Sequence, residues 1–241
     1  MTYKSIEEYP GWLNAPAYLE SFLAQHTIRR VADIGGGANP LLDEAFVRRH
    51  GLDYAVLDVS AAELAKAPDW CRKIQVDIGA RGERCDASIA EEPFDLVFMH
   101  MLLEHIRDVR QAHLNIHRLL RPGGLAIHFY PTPYSLPLLF NRWLPDRLSF
   151  LLLRLWQPWR DFNGNLGKFP AYYDLCGNPG PQLTRTLESL GYEVLEHSGY
   201  IGHFYYVGIP GLEQAERLAR RLLLRLQWPI TSCIVLALRR R

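Results

Sequence analysis

The stretch VADIGGGANP, residues 31–40, restricts what this chain can become more than any other. An apolar run ends on Asp33, glycines follow at 35, 36 and 37, and Asn39-Pro40 precedes a helix-like segment. Glycine loses more conformational entropy on folding than any other residue, so three in succession mark a turn that works close to the backbone. The question is whether that turn holds a phosphate, a nucleoside without phosphate, or nothing.

From residue 29 strand-like and helix-like segments alternate. RRVADIGG reads as a buried strand. PLLDEAFVRRHG reads as a helix, with Asn39 as N-cap, Pro40 at its first position and Gly51 at its stop. DYAVLDVS, KIQVDIG and FDLVFMHM are the next three strands, with a short helix, AAELAKA, after the first of them. In DVRQAHLNIHRLLRPGG, Val109, Ala112, Ile116, Leu119 and Leu120 share one helical face. Asp108 with Gln111 forms a capping-box pattern, and Pro122-Gly123-Gly124 supplies the stop. LAIHFYP is a fifth strand, QLTRTLESLG a helix, and YEVLEHSGY and TSCIVLALRR two further strands. The expected architecture is α/β: right-handed βαβ units around a largely parallel sheet with helices on both faces.

A chain of 241 residues, nearly half apolar, accommodates a single domain of this kind with additions. Those additions are an N-terminal helical cap over about 1–28, an insertion over about 134–180 and an extra helix over about 211–227. A formal charge of +1 disfavours a general nucleic-acid binder. Cys71, Cys85, Cys176 and Cys233 form no C-x-x-C pair, so neither a zinc site nor a disulfide framework is expected. The opening MTYKSIEEYPGW is acidic and lacks an apolar core, and no apolar run reaches spanning length. A cytoplasmic protein is expected.

Three features choose among ligands for the turn. Counting G-x-G-x-x-G from Gly35 puts the last glycine on Pro40, so the dinucleotide fingerprint is broken. Asp43 and Glu44 would repel a pyrophosphate at the start of the next helix. Asp33, at the strand's end, suits a cationic ligand. S-adenosylmethionine, cationic and without phosphate, meets all three. Asp58 suits ribose hydroxyls and Asp77 an adenine amino group; each is also the residue type that caps a helix after a strand.

VADIGGGANP, YAVLDVS, QVDIG, FDLVFMHMLLEHIRD and LLRPGGLAIHF together resemble, in this order, the class I S-adenosylmethionine-dependent methyltransferases. The resemblance spans about residues 28–131 and extends to an antiparallel final strand. It implies a Rossmann-like, doubly wound, seven-stranded sheet, with S-adenosyl-L-methionine bordered by Asp33, Gly35, Gly37, Asp58, Asp77 and His100. The Leu-Glu-His triplet resembles a branch that includes quinone-biosynthesis methyltransferases. Some of these carry a further acid where this chain has Met101, a poor ligand for a hard cation, so no metal is expected.

An alcohol or phenol acceptor gains from a base, and His105 is the candidate catalytic residue, against the alternative that it only secures its loop. His100 is read as packing on the cofactor, and His128 as a hydrogen-bonded core histidine. His203 and Tyr134 are candidates to face the acceptor. The insertion mixes Trp143, Trp156 and Trp159 with several arginines, which suits an acceptor pocket, a peripheral membrane contact or ordinary packing. In the extra helix, Leu212, Ala215, Leu222 and Leu226 form the expected packing face. O-methylation of a small-molecule, sugar or lipid-linked glycan acceptor is the first reading. A quinone or other small metabolite, a non-catalytic nucleoside-binding module and a dehydrogenase are the alternatives.

Overall fold

Along the strand Arg30–Ile34, Val31 points to one face of the sheet, and Ala32 and Ile34 to the other. Both faces are buried, which is why the run reads as continuously apolar. The computed structural model describes residues 3–82, 92–135 and 170–241. In chain order the strands are β1 Tyr3–Ser5, β2 Arg30–Ile34, β3 Asp53–Asp58, β4 Arg72–Gln75, β5 Phe94–His100, β6 Leu120–Pro131, β7 Tyr192–Ile201 and β8 Cys233–Arg240. The helices are α1 Pro10–Leu13, α2 Ala15–Leu23, α3 Glu44–His50, α4 Ala61–Lys66, α5 Val109–Leu119, α6 Pro181–Ser189 and α7 Leu212–Leu226.

The strands form one sheet in the order β1-β7-β8-β6-β5-β2-β3-β4. β8 runs antiparallel to both its neighbours, and the other pairings are parallel. Helices α2, α3 and α4 cover one face through Leu19, Phe46 and Leu64. Helices α5 and α6 cover the other through Ile116, Leu119 and Leu187. The chain reverses direction across the sheet between β2 and β5, and such a reversal opens a crevice at the carboxyl ends of the strands.

The sheet has eight strands, against the seven expected. The extra one is β1, which pairs parallel with β7 at the edge. At three residues it is too short to show a two-residue period.

Other boundaries move for local reasons. Helix α3 begins at Glu44, with Asp43 as its cap accepting from the Phe46 N–H at 2.7 Å. Asn39 and Pro40 belong to the preceding turn, because the Leu41 N–H is drawn onto Asp33 at 2.9 Å. α5 is capped by Asp108 as expected, but Leu120 already pairs with Phe94, so Pro122-Gly123-Gly124 falls within β6 and not at the helix stop. His128 is buried, yet among the described residues neither ring nitrogen has a hydrogen-bond partner. Burial holds its pKa well below the usual histidine value, and it stays neutral against the His113 ring.

The expected face of α7 is also wrong. Leu212, Leu222 and Leu226 are exposed, while Leu223 and Arg220 turn inward. Arg220 is drawn in by Glu7 and Glu216, which its guanidinium meets at 3.0 and 3.6 Å. Two carboxylates outweigh the leucine stripe. No helix among the described residues is long and apolar enough to cross a membrane. Trp143, Trp156 and Trp159, with most of the 134–180 insertion, lie outside the described residues.

Candidate functional site

Gly35 leaves β2 at φ +84°, where a side chain is strained, and a Cβ there would stand 2.8 Å from Leu102. Gly37, at φ +45°, would place a Cβ 3.1 Å from the Asp58 carboxylate. The turn is therefore bare on the side facing the end of β3, a cradle that any side chain would begin to fill.

Asp33, only 2% exposed, sits under this turn. One carboxylate oxygen accepts both the Tyr54 hydroxyl at 2.6 Å and the Leu41 N–H at 2.9 Å. Burial pushes its pKa up to about 6, with the two hydrogen bonds pulling down and the Asp58 charge adding to the rise. Asp33 thus has a structural task, pinning the turn, as well as its charge. Asp58 accepts the Ser60 N–H at 2.8 Å on one oxygen and leaves the other beside Gly37. Asp77, exposed two residues beyond β4, accepts the Gly79 N–H at 3.0 Å in a local turn. Three carboxylates accordingly stand at the carboxyl ends of three adjacent parallel strands. They favour a cation and repel a pyrophosphate.

His100 ends β5, but its Nε2 donates to the Gly11 carbonyl at 2.7 Å. It ties α1 to the carboxyl edge of the sheet and is engaged there. Immediately after it, Met101 holds φ +53°, a conformation that costs a non-glycine residue about 1–2 kcal/mol and needs surrounding support. Its N–H is held by the Phe129 carbonyl at 2.8 Å.

The following turn, Leu103–His105, carries a group that the sequence reading passed over. Glu104 is 4% exposed, and among the described residues its Oε2 has no hydrogen-bond partner. Desolvation raises its pKa, and the neighbouring His105 opposes the rise. The sequence set this acid in the Leu-Glu-His triplet but gave it no role, because the spacing in LLEHI equally fits an exposed loop. The His105 Nδ1 lies 2.9 Å from the Pro170 carbonyl, so Nδ1 carries a proton and donates it. That leaves Nε2 as the basic nitrogen, 3.6 Å from Glu104 Oε1. The Glu104 carbonyl also accepts the N–H groups of Tyr172 and Tyr173, at 2.7 and 3.2 Å. The pair is thereby fixed from both sides.

Among the described residues no three His, Cys, Asp or Glu side chains gather with metal-binding geometry. Tyr134 is half-buried just beyond β6, and His203 is buried just beyond β7, both at the carboxyl edge.

Residues 6–197 match the family described as a methyltransferase domain. A stretch of 98 residues is 34% identical to the ubiquinone biosynthesis O-methyltransferase of Rhodopseudomonas palustris (strain BisB18), covering 41% of this chain and 38% of that protein. The chain therefore matches well under half the length of that relative. Among solved structures, the chain is similar to a SAM dependent methyltransferase from Archaeoglobus fulgidus, with a TM-score of 0.56 and 15% identity over 94% of this chain and 93% of that one. It is also similar to an S-adenosylmethionine dependent methyltransferase from Mesorhizobium loti, with a TM-score of 0.51 and 17% identity over 94% and 99% of the two chains. At these identities the structural likeness speaks for the fold alone.

Proposed function

We propose that this chain, which belongs to the methyltransferase-domain family, transfers a methyl group from S-adenosylmethionine to an oxygen of a small molecule. The observation that carries the reading is the division of the carboxyl edge. Gly35, Gly37, Asp33, Asp58 and Asp77 occupy the β2–β4 side, and Glu104 with His105 stands after β5. When bound, S-adenosylmethionine supplies a methyl group activated by a sulfonium charge. Asp58 would receive the ribose hydroxyls, Asp77 the adenine edge, and Asp33 would contribute negative charge beneath the turn. His100 would border the cofactor only through its hold on α1. His105 is the proposed base, taking the acceptor's proton on Nε2, with the Pro170 carbonyl orienting the ring through Nδ1 and Glu104 balancing the charge that forms.

The name of the Rhodopseudomonas relative favours a phenolic, quinone-type acceptor over a sugar or lipid-linked glycan. The alternative of a non-catalytic nucleoside-binding module predicts cofactor binding without turnover. Incubation with methyl-labelled S-adenosylmethionine and a pool of phenolic and sugar acceptors decides between them. Label transferred to an oxygen supports the enzyme reading. Binding of S-adenosylhomocysteine with no transfer to any acceptor favours the binding module.

A pH dependence follows from Asp33. Because its folded pKa lies above the ordinary carboxylate value, ionisation works against folding. Its contribution to stability is greatest at low pH and is lost as pH rises through about 6. A cationic ligand has the opposite preference and binds the ionised form. S-adenosylmethionine affinity is therefore expected to rise with pH through about 6, approaching tenfold per unit on the acid side. Asp33→Asn keeps an oxygen for Tyr54 and Leu41 and should flatten that slope. Calorimetric titrations at several pH values, showing the same slope in both proteins, would remove Asp33 from cation binding.

A further inference from the structure

Between α7 and the carboxyl ends of β6 and β7 lies a cavity of about 210 Å³. Its walls are mainly apolar, with Ala219 and Leu223 from α7 facing Ile230, and its polar groups include His203, Ser135, Glu216 and Arg220. It lies at the same edge of the sheet as the glycine turn, on the other side of β5. An apolar cavity of about 150 Å³ is enough to take a benzene ring, so this one has room for a ring with a substituent.

The charges decide what kind of group fits. Arg220 is the cation here, and it is already committed to Glu7 at 3.0 Å and Glu216 at 3.6 Å. Glu216 also accepts the His203 N–H at 3.2 Å. With two carboxylates on one guanidinium, the described part of the wall offers an anion no uncommitted cation.

His203 is set as a donor. Its Nδ1 accepts the Tyr205 N–H at 3.3 Å, which places the ring proton on Nε2. Burial and the nearby Arg220 hold its pKa near 4, so the ring is neutral.

We propose that this cavity receives the acceptor as an uncharged, largely apolar molecule, with His203 Nε2–H hydrogen-bonding one of its oxygens. The proposal rests on the methyl-transfer reading for the word acceptor, but not for the binding itself. It excludes phosphorylated and carboxylated acceptors from this site, and with them the use of Arg220 as an anion clamp.

The test uses 2-naphthol and 2-naphthoate, a neutral and an anionic probe of similar size, titrated into the full chain with and without S-adenosylhomocysteine. 2-Naphthol should bind at least about tenfold more tightly than 2-naphthoate, whose charge would be buried with no uncommitted cation to balance it. Ala219→Phe, which fills the cavity from α7, should abolish naphthol binding and leave S-adenosylhomocysteine affinity unchanged. His203→Phe should weaken naphthol about tenfold, with partial recovery in His203→Gln, whose amide can donate from a similar place. Equal affinity for the two probes, or naphthol binding unmoved by Ala219→Phe in a protein whose melting curve is intact, would overturn the proposal. Should Ala219→Phe not fold, Leu223→Ala enlarges the cavity, and an unchanged preference among bulkier naphthols would count against it equally. Failure of S-adenosylhomocysteine to bind would sink the methyl-transfer reading without touching these naphthol measurements.

Discussion

Replacing His105 with alanine is expected to lower the methyl-transfer rate by about 10²-fold or more while leaving S-adenosylhomocysteine affinity nearly unchanged. The expectation follows from how the ring is held. Nδ1 is committed to the Pro170 carbonyl at 2.9 Å, and Nε2 faces the Glu104 carboxylate at 3.6 Å. The alanine variant also loses the Pro170 contact, so it cannot alone separate a base from a brace. His105→Asn can, because its amide nitrogen stands near the place of Nδ1 and keeps a donor for Pro170, with nothing at Nε2. If the asparagine protein is as slow as the alanine protein, the missing function is the basic nitrogen. If asparagine restores the rate, His105 secures the 170–176 segment and another group takes the proton. Glu104→Gln should slow transfer as well, and the double variant should be little worse than His105→Ala alone, since two residues acting as one unit are not additive.

The sequence showed the sheet's interior better than its edges, for a physical reason. β2, β3, β5 and β6 are buried on both faces and so appear as unbroken apolar runs ending in a turn. β1 has three residues and owes its place to pairing with Gly199–Ile201 of β7, a contact nearly two hundred residues away that no local pattern encodes. α7 misled in the opposite direction. Its leucine stripe reads as a packing face, but the inward position went to Arg220 because Glu7 and Glu216 converge on it. In the site, Asp33, Asp58 and Asp77 were visible because each closes a strand. Glu104 was not, because its importance lies in burial and in an Oε2 with no hydrogen-bond partner among the described residues, and neither is written in the local sequence. His203 was a candidate to face the acceptor, but no spacing argued for it. Its tautomer depends on the backbone of Tyr205, which only the folded chain brings to Nδ1.

Asp58→Ala is expected to weaken S-adenosylhomocysteine binding by roughly 10- to 150-fold, the loss of about 1.5–3 kcal/mol from charge-assisted hydrogen bonds. One oxygen of Asp58 already holds the Ser60 N–H at 2.8 Å, at the start of α4. Some stability will therefore be lost with the carboxylate, and a melting curve must accompany the titration. Gly37→Ala asks the same question without removing any charge. The new Cβ would stand 3.1 Å from the Asp58 carboxylate and 3.3 Å from the Glu63 Cβ, on a backbone at φ +45°. Glu63 is anchored in α4, so the carboxylate is the neighbour that yields, and it turns away from the open side of the turn. The strain adds about 1–2 kcal/mol, borne by the folded protein. If the cradle formed by Gly37 and Asp58 is where ribose binds, both variants lose cofactor affinity, and the alanine at 37 does so with its aspartate intact. A Gly37→Ala protein that is less stable but binds S-adenosylhomocysteine as tightly as the wild type would show that the glycine serves only the turn. The nucleoside would then have to be sought elsewhere along the carboxyl edge.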